Sequence, residues 1–203
     1  MVEWNVMTSR SRFKHPSRKY FYDFLESTFG SSRFALADIG VVSMVDYLRL
    51  RKEKPNLSFT YTGFDLNEEI IEQARSFVQK GDRVILWDIH DPHPDSIREQ
   101  EFDVILVKHM IHYCKHYDVL ENLKPVLKTG GAIVVINNGN IYSSKNTCKY
   151  DGKTISYAFG RYGSTYSEKA YVKYLHKNFE IVKHMSFRRS KVFKAYTIDI
   201  LKA

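Results

Sequence analysis

Three aspartates and two histidines stand where apolar runs of this chain give way to polar turns. Asp38 lies in Phe34-Ala-Leu-Ala-Asp-Ile-Gly40, Asp65 near the end of Leu57–Leu66, and Asp88 near the end of Arg83–Ile89; His109 and His112 follow the run Phe102–Val107. A carboxylate accepts two hydroxyl protons at once, and glycine lets backbone approach a ligand closely. Twenty-five residues separate Gly40 from Asp65, near the spacing at which the acidic residue of a Rossmann-type site reaches ribose hydroxyls. The alternative role for Asp65 is to cap a helix beginning at Asn67. A histidine exchanges a proton near neutral pH, so His109 and His112 are candidates for general-base work, or for positioning a substrate or supporting a loop. His90-Asp-Pro-His-Pro94 brings two histidines together, but no matching ligand set accompanies them and no metal is expected.

The elements that must hold these residues read as alternating strands and helices. Phe102–Val107 and Ala132–Ile136 are short, β-branched runs, and Val119, Leu120, Leu123, Val126 and Leu127 between them recur at helical intervals. Lys128-Thr-Gly-Gly131 has the chemistry of a helix stop. Two such strands joined by a covering helix are parallel and right-handed. Upstream, Pro16–Leu25 begins a helix with Tyr20, Phe21, Phe24 and Leu25 as its apolar stripe, and Gly30 ends it. Strands are predicted at Phe34–Ile39, Leu57–Leu66 and Arg83–Ile89, with a helix from about Ser43 to Lys54 packing through Val45, Leu48 and Leu50. A further helix over Tyr166–Phe179 precedes two closing strands, Phe179–Phe187 and Val192–Leu201.

In order and spacing these segments resemble the class I S-adenosylmethionine-dependent methyltransferases. The resemblance rests on the aspartate-led strand Phe102-Asp-Val-Ile, the turn Met110-Ile-His112, the Leu127-Lys-Thr-Gly-Gly131 turn with Thr129 in place of proline, and the helix Asn67–Arg75 with its Ala-Arg ending. It covers roughly residues 30–203 and implies a single-domain, Rossmann-like α/β fold: a seven-stranded, mostly parallel sheet, helices on both faces and a C-terminal antiparallel hairpin. Residues 1–29 would be an N-terminal arm and helix. The implied cofactor is S-adenosylmethionine, with Asp38 and Gly40 around its methionine end, Asp65 with Leu66 at the ribose, Asp88 with Ile89 or Trp87 at the adenine, and Lys108 at the end of the fourth strand. A core tryptophan is the other reading of Trp87. The family's glycine loop departs here, with Val42 and Met44 where glycine is expected.

The acceptor is less legible. Asn137–Ser164 reads as a long polar connection within a lid or insertion over 137–165. Tyr113, Tyr142 and Tyr157 are candidate substrate contacts, and the alternative is packing of such aromatics on the sheet edge. The Asn/Asp-Pro-Pro-Tyr motif of nucleobase and glutamine amide methyltransferases is missing. A small-molecule oxygen or nitrogen acceptor is therefore expected. Lys+Arg of 31 against Asp+Glu of 23, net +8, keeps an RNA substrate as a rival, although the charge forms no long basic run. A second rival is a non-catalytic interaction module with a degenerate loop. No 18-residue apolar run or signal peptide is visible, so a cytoplasmic setting without membrane insertion is expected. The two cysteines, Cys114 and Cys148, are expected to be free thiols.

Overall fold

The computed structural model describes residues 16–42, 44–111, 114, 117–138, 147–150, 155–158, 168–188 and 194–202. The chain opens with helix α1 (Pro16–Phe29), strand β1 (Phe34–Ile39), α2 (Val45–Glu53), β2 (Phe59–Asp65), α3 (Glu68–Arg75) and β3 (Arg83–Leu86). It continues with β4 (Phe102–Lys108), a 3-10 helix (Tyr117–Leu123), β5 (Leu127–Asn138) and the short strands β6 (Thr147–Tyr150) and β7 (Ile155–Ala158). Helix α4 (Glu168–Asn178), β8 (Glu180–Arg188) and β9 (Lys194–Lys202) complete it.

Seven strands form one sheet in the order β3-β2-β1-β4-β5-β9-β8. The first five are parallel, and β9 runs antiparallel to both β5 and β8. From β1 the chain steps outward to β2 and β3, then returns to place β4 on the other side. Ligands of open α/β sheets bind beyond the strand ends at such a reversal.

Alternation along the strands divides the core in two. On one face Leu36, Val104, Leu106, Val134 and Ile136 meet Phe21, Tyr22 and Leu25 of α1, Tyr47 and Leu50 of α2, and Ile70 and Ile71 of α3. On the other, Ile39, Ile105, Val107, Ile133 and Val135 meet Ile111, Leu120, Leu123 and Leu175. Central parallel strands are thus apolar on both sides, as helices on both faces require.

Several boundaries differ from those predicted. Trp87–Ile89 lie beyond β3, which stops at Leu86. The segment expected as a helix over Val119–Leu127 is a 3-10 helix ending at Leu123, and Lys128–Gly131 belongs to β5, not to a helix stop. Its register against β4 shifts between Phe102 and Val104, and Lys128 Nζ donates to Asp103 Oδ2 at 2.8 Å. A run of apolar residues at three- and four-residue intervals also suits a short 3-10 helix, which is what covers the sheet here. In α1, Tyr20 is exposed and Tyr22 is buried in its stead; in α2, Leu48 is exposed and Tyr47 takes the core position. Within the expected connection 137–165, β5 extends to Asn138, and β6 and β7 pair as an antiparallel two-stranded sheet.

Candidate active site

At the carboxyl ends of β1, β2 and β4 the sheet opens into a cleft of about 430 Å³, within the range of ~300–1,000 Å³ usual for small-molecule sites. Asp38, Gly40, Asp65, Leu66, Asp88, Ile89, Lys108 and His109 all line it. Residues chosen from four separate stretches of sequence therefore converge. Of the other candidates, His112, Tyr113 and Tyr142 lie outside the described residues, and Tyr157 is described only as backbone of β7.

The loop after β1 is shaped by backbone. Gly40 has φ +82°, and its N–H donates to the Phe64 carbonyl at 2.8 Å. A Cβ at this position would stand 3.2 Å from Met110 Cγ, so a larger residue would be strained by its φ and crowded at once. The two residues that break the glycine pattern behave differently from each other. Val42 lines the cleft. Met44 does not: at φ 51° and ψ 11° its side chain turns into the core, where its sulfur lies 3.7 Å from the Tyr61 hydroxyl oxygen.

Asp65 is buried at the end of β2. Its Oδ1 accepts from the Asn67 N–H at 3.0 Å and its Oδ2 lies 3.4 Å from the Val42 N–H. Burial pushes its carboxyl up from the ordinary value, and these backbone donors pull it back in part. Helix α3 is capped by Asn67, whose side chain accepts from Glu69 and Ile70, so Asp65 is not the cap. Asp88 Oδ1 accepts from the His90 N–H at 3.0 Å and meets His90 Nδ1 at 2.7 Å. Trp87 and Ile89 are both core residues and both cleft residues. The Trp87 ring meets Phe64 edge-on at 5.2 Å, and its indole N–H donates to the carbonyls of Asp91 and Pro92.

Beneath the loop lies a charged cluster that strand and helix patterns did not reveal. Asp46, in the first turn of α2, binds Lys108 through one carboxylate oxygen and Arg18 of α1 through the other, the latter at 3.2 Å. Burial raises the Asp46 carboxyl, but Lys108 and then Arg18 outweigh it and hold the group below its usual range. Asp38 is enclosed and accepts from the Tyr61 hydroxyl at 3.0 Å. Burial, reinforced by the Asp46 charge, pushes it up to about 7, against the pull of Tyr61 and Lys108. An acid in a helix's first turn was the only sign of Asp46 in the sequence, and it reads as ordinary dipole compensation. Met110 and Cys114 also line the cleft unanticipated.

His109 follows β4 with φ 52°, a left-handed conformation uncommon outside glycine, though histidine adopts it more readily than most residues. Its N–H donates to the Ile136 carbonyl of β5 at 2.7 Å. Strained backbone of this sort concentrates at functional sites.

A sheet of this order, with acidic residues around the reversal between β1 and β4, defines a Rossmann-like nucleotide-type site. Residues 38–135 match the methyltransferase domain family, and the fold is the one seen in solved class I S-adenosylmethionine-dependent methyltransferases. Solved structures similar to it include an S-adenosylmethionine-dependent methyltransferase from Mesorhizobium loti, at 14% identity, TM-score 0.64 and coverage of 89% of this chain and 96% of that one. The plantazolicin methyltransferase BpumL, solved with a pentazolic desmethylPZN analog and SAH, is similar at 15% identity, TM-score 0.66 and coverage of 99% and 90%. So is a chain from the complex of the Haloferax volcanii Trm112 methyltransferase activator with a methyltransferase, at 13%, 0.64, 99% and 97%. No curated protein sequence matches the chain.

The residues present fit the cofactor. The tight approach at Gly40 leaves bare backbone along the cleft, Asp65 presents a buried carboxylate of the kind that accepts from a sugar diol, and Met44, the larger intrusion in the loop, is withdrawn into the core.

Proposed function

We propose that the chain methylates an oxygen or nitrogen of a small molecule. The observation that carries this reading is His109, a titratable side chain held in a left-handed turn on the cleft wall, beyond the end of β4. The cofactor, when bound, supplies a methyl group on a sulfonium, open to in-line attack by a lone pair. The protein's part is to hold the two reactants aligned and to take the proton that a hydroxyl or ammonium gives up. Asp65 and Asp88 would orient the nucleoside, Gly40 and Asp38 the loop beside the methionine end, and Leu66 and Ile89 would supply apolar cover. Lys108 would contribute positive charge. His109 would accept the acceptor's proton, with His112, Tyr113, Tyr142 and Tyr157 as further candidates for the acceptor side.

The test is transfer of labelled methyl from S-adenosylmethionine to a panel of phenols and amines, with total RNA in parallel and a Trm112-type activator added as a separate arm. Transfer to a small hydroxyl or amine, reduced tenfold or more in His109→Gln, supports the reading. Transfer confined to RNA, with salt-sensitive binding, contradicts it.

A further inference from the structure

The face of the sheet that carries Ile133 and Val135 is apolar until the carboxyl end of β5, where it stops being so. Asn137 continues the alternation of Ile133 and Val135, and a core position is expected to be apolar there. Its side chain is fully enclosed, yet neither its amide nitrogen nor its amide oxygen meets a hydrogen-bond partner among the described residues. Buried amides are almost always paired, because an enclosed donor or acceptor without a partner opposes folding. Asn137 is also the next residue after Ile136, whose carbonyl receives the His109 N–H. The unsatisfied amide therefore lies one residue from the contact that fixes the histidine turn.

A second polar group adjoins it on the same face. Asp199 of β9 pairs in register with Val135, and Thr197 with Asn137, so Asp199 is the diagonal neighbour of Asn137, at about 7 Å between backbones. Asp199 is fully enclosed and binds His184 of β8, its own register partner. Across β5, β9 and β8 a row of hydrogen-bonding groups thus interrupts an apolar face. Its near end adjoins the strand end where His109 turns.

We infer that Asn137 is the acceptor-recognising residue of this enzyme, binding the polar end of the methyl acceptor, with the Asp199–His184 pair as the row's far end. This inference rests on the small-molecule reading above. A carboxamide donates and accepts together, and the ligand group it matches does the same: a hydroxyl or a primary amide. The amide is enclosed, so an acceptor reaches it only by displacing what packs over it.

The experiment uses the full chain saturated with SAH. The ¹⁵N side-chain amide resonance of Asn137 is identified by its loss in Asn137→Leu, then followed on addition of phenol, acetamide or toluene. The inference expects the resonance to move with phenol or acetamide and to stay with toluene. It also expects Asn137→Leu to bind SAH as the parent does and to melt at the same temperature or a few degrees higher, since an unpaired amide is replaced by an apolar group of similar size. A resonance unmoved by either polar probe while SAH binding is intact overturns the role of Asn137 alone. A melting point lower by about 5 °C or more in Asn137→Leu does so as well, because it means the amide is satisfied within the folded chain. Methyl transfer to RNA alone overturns the acceptor class itself, whatever Asn137 does.

Discussion

The Lys108 ammonium at the end of β4 is held by the Asp46 carboxylate in the first turn of α2, a contact between residues 62 positions apart. Arg18 of α1 holds the other oxygen of Asp46, so one carboxylate joins the first helix, the helix after the loop and the strand that leads to His109. Removing it leaves two cations facing each other in a mostly buried space. Asp46→Ala is expected to cost roughly 2–3 kcal/mol, below the full penalty for a buried pair because the side chains keep some exposure. Lys108→Met leaves Asp46 with Arg18 and is expected to cost less. Denaturant titration of both variants checks the order.

Asp38 makes stability depend on pH in a particular window. In the folded chain its carboxyl titrates near 7, against an ordinary value of 3.8. Between those values the folded state holds a proton that the unfolded state has lost, so stability falls as pH rises from about 4 to about 7. Three pKa units correspond to a loss on the order of 4 kcal/mol from this group. Asp38→Asn keeps an oxygen for the Tyr61 hydroxyl and removes the titration. Melting curves at pH 5 and pH 8 are expected to differ less in the variant, with its gain over the parent at pH 8.

Gly40→Ala tests the loop. Its φ of +82° and the 3.2 Å approach to Met110 Cγ both oppose a methyl group, and a loss of about 1–2 kcal/mol is expected. Cofactor affinity is expected to fall by more than the stability loss explains, because the strained backbone borders the cleft. A variant with parental affinity and stability would show that the close approach has no role.

Most of the sheet was legible because central parallel strands are apolar on both faces, and Phe34–Ile39, Leu57–Leu66 and Phe102–Val107 stand out as mostly apolar runs. Asp65 was legible through its distance from Gly40. The cover over β4 and β5 was not: Val119–Leu127 has helical spacing, and spacing alone does not separate a 3-10 turn from an α-helix. Met44 was read as an intrusion into the cofactor loop because sequence carries no sign that its backbone turns left-handed and buries it beside Tyr61. Asp46 escaped for another reason. Its meaning lies in Lys108 and Arg18, and only the fold brings those three together. Asn137 sat at the edge of a connection read as polar, where an asparagine attracts no notice until the strand is seen to extend over it.

We propose that the cleft over β1, β2 and β4 binds S-adenosylmethionine through Asp65. Calorimetric titration of the chain and of Asp65→Ala with S-adenosylmethionine and SAH tests it most directly. Micromolar binding by the chain is expected, weakened about 10- to 100-fold in the variant as expected for loss of hydrogen bonds to a charged group. No binding by the chain at millimolar ligand, or equal binding by the variant, would contradict it.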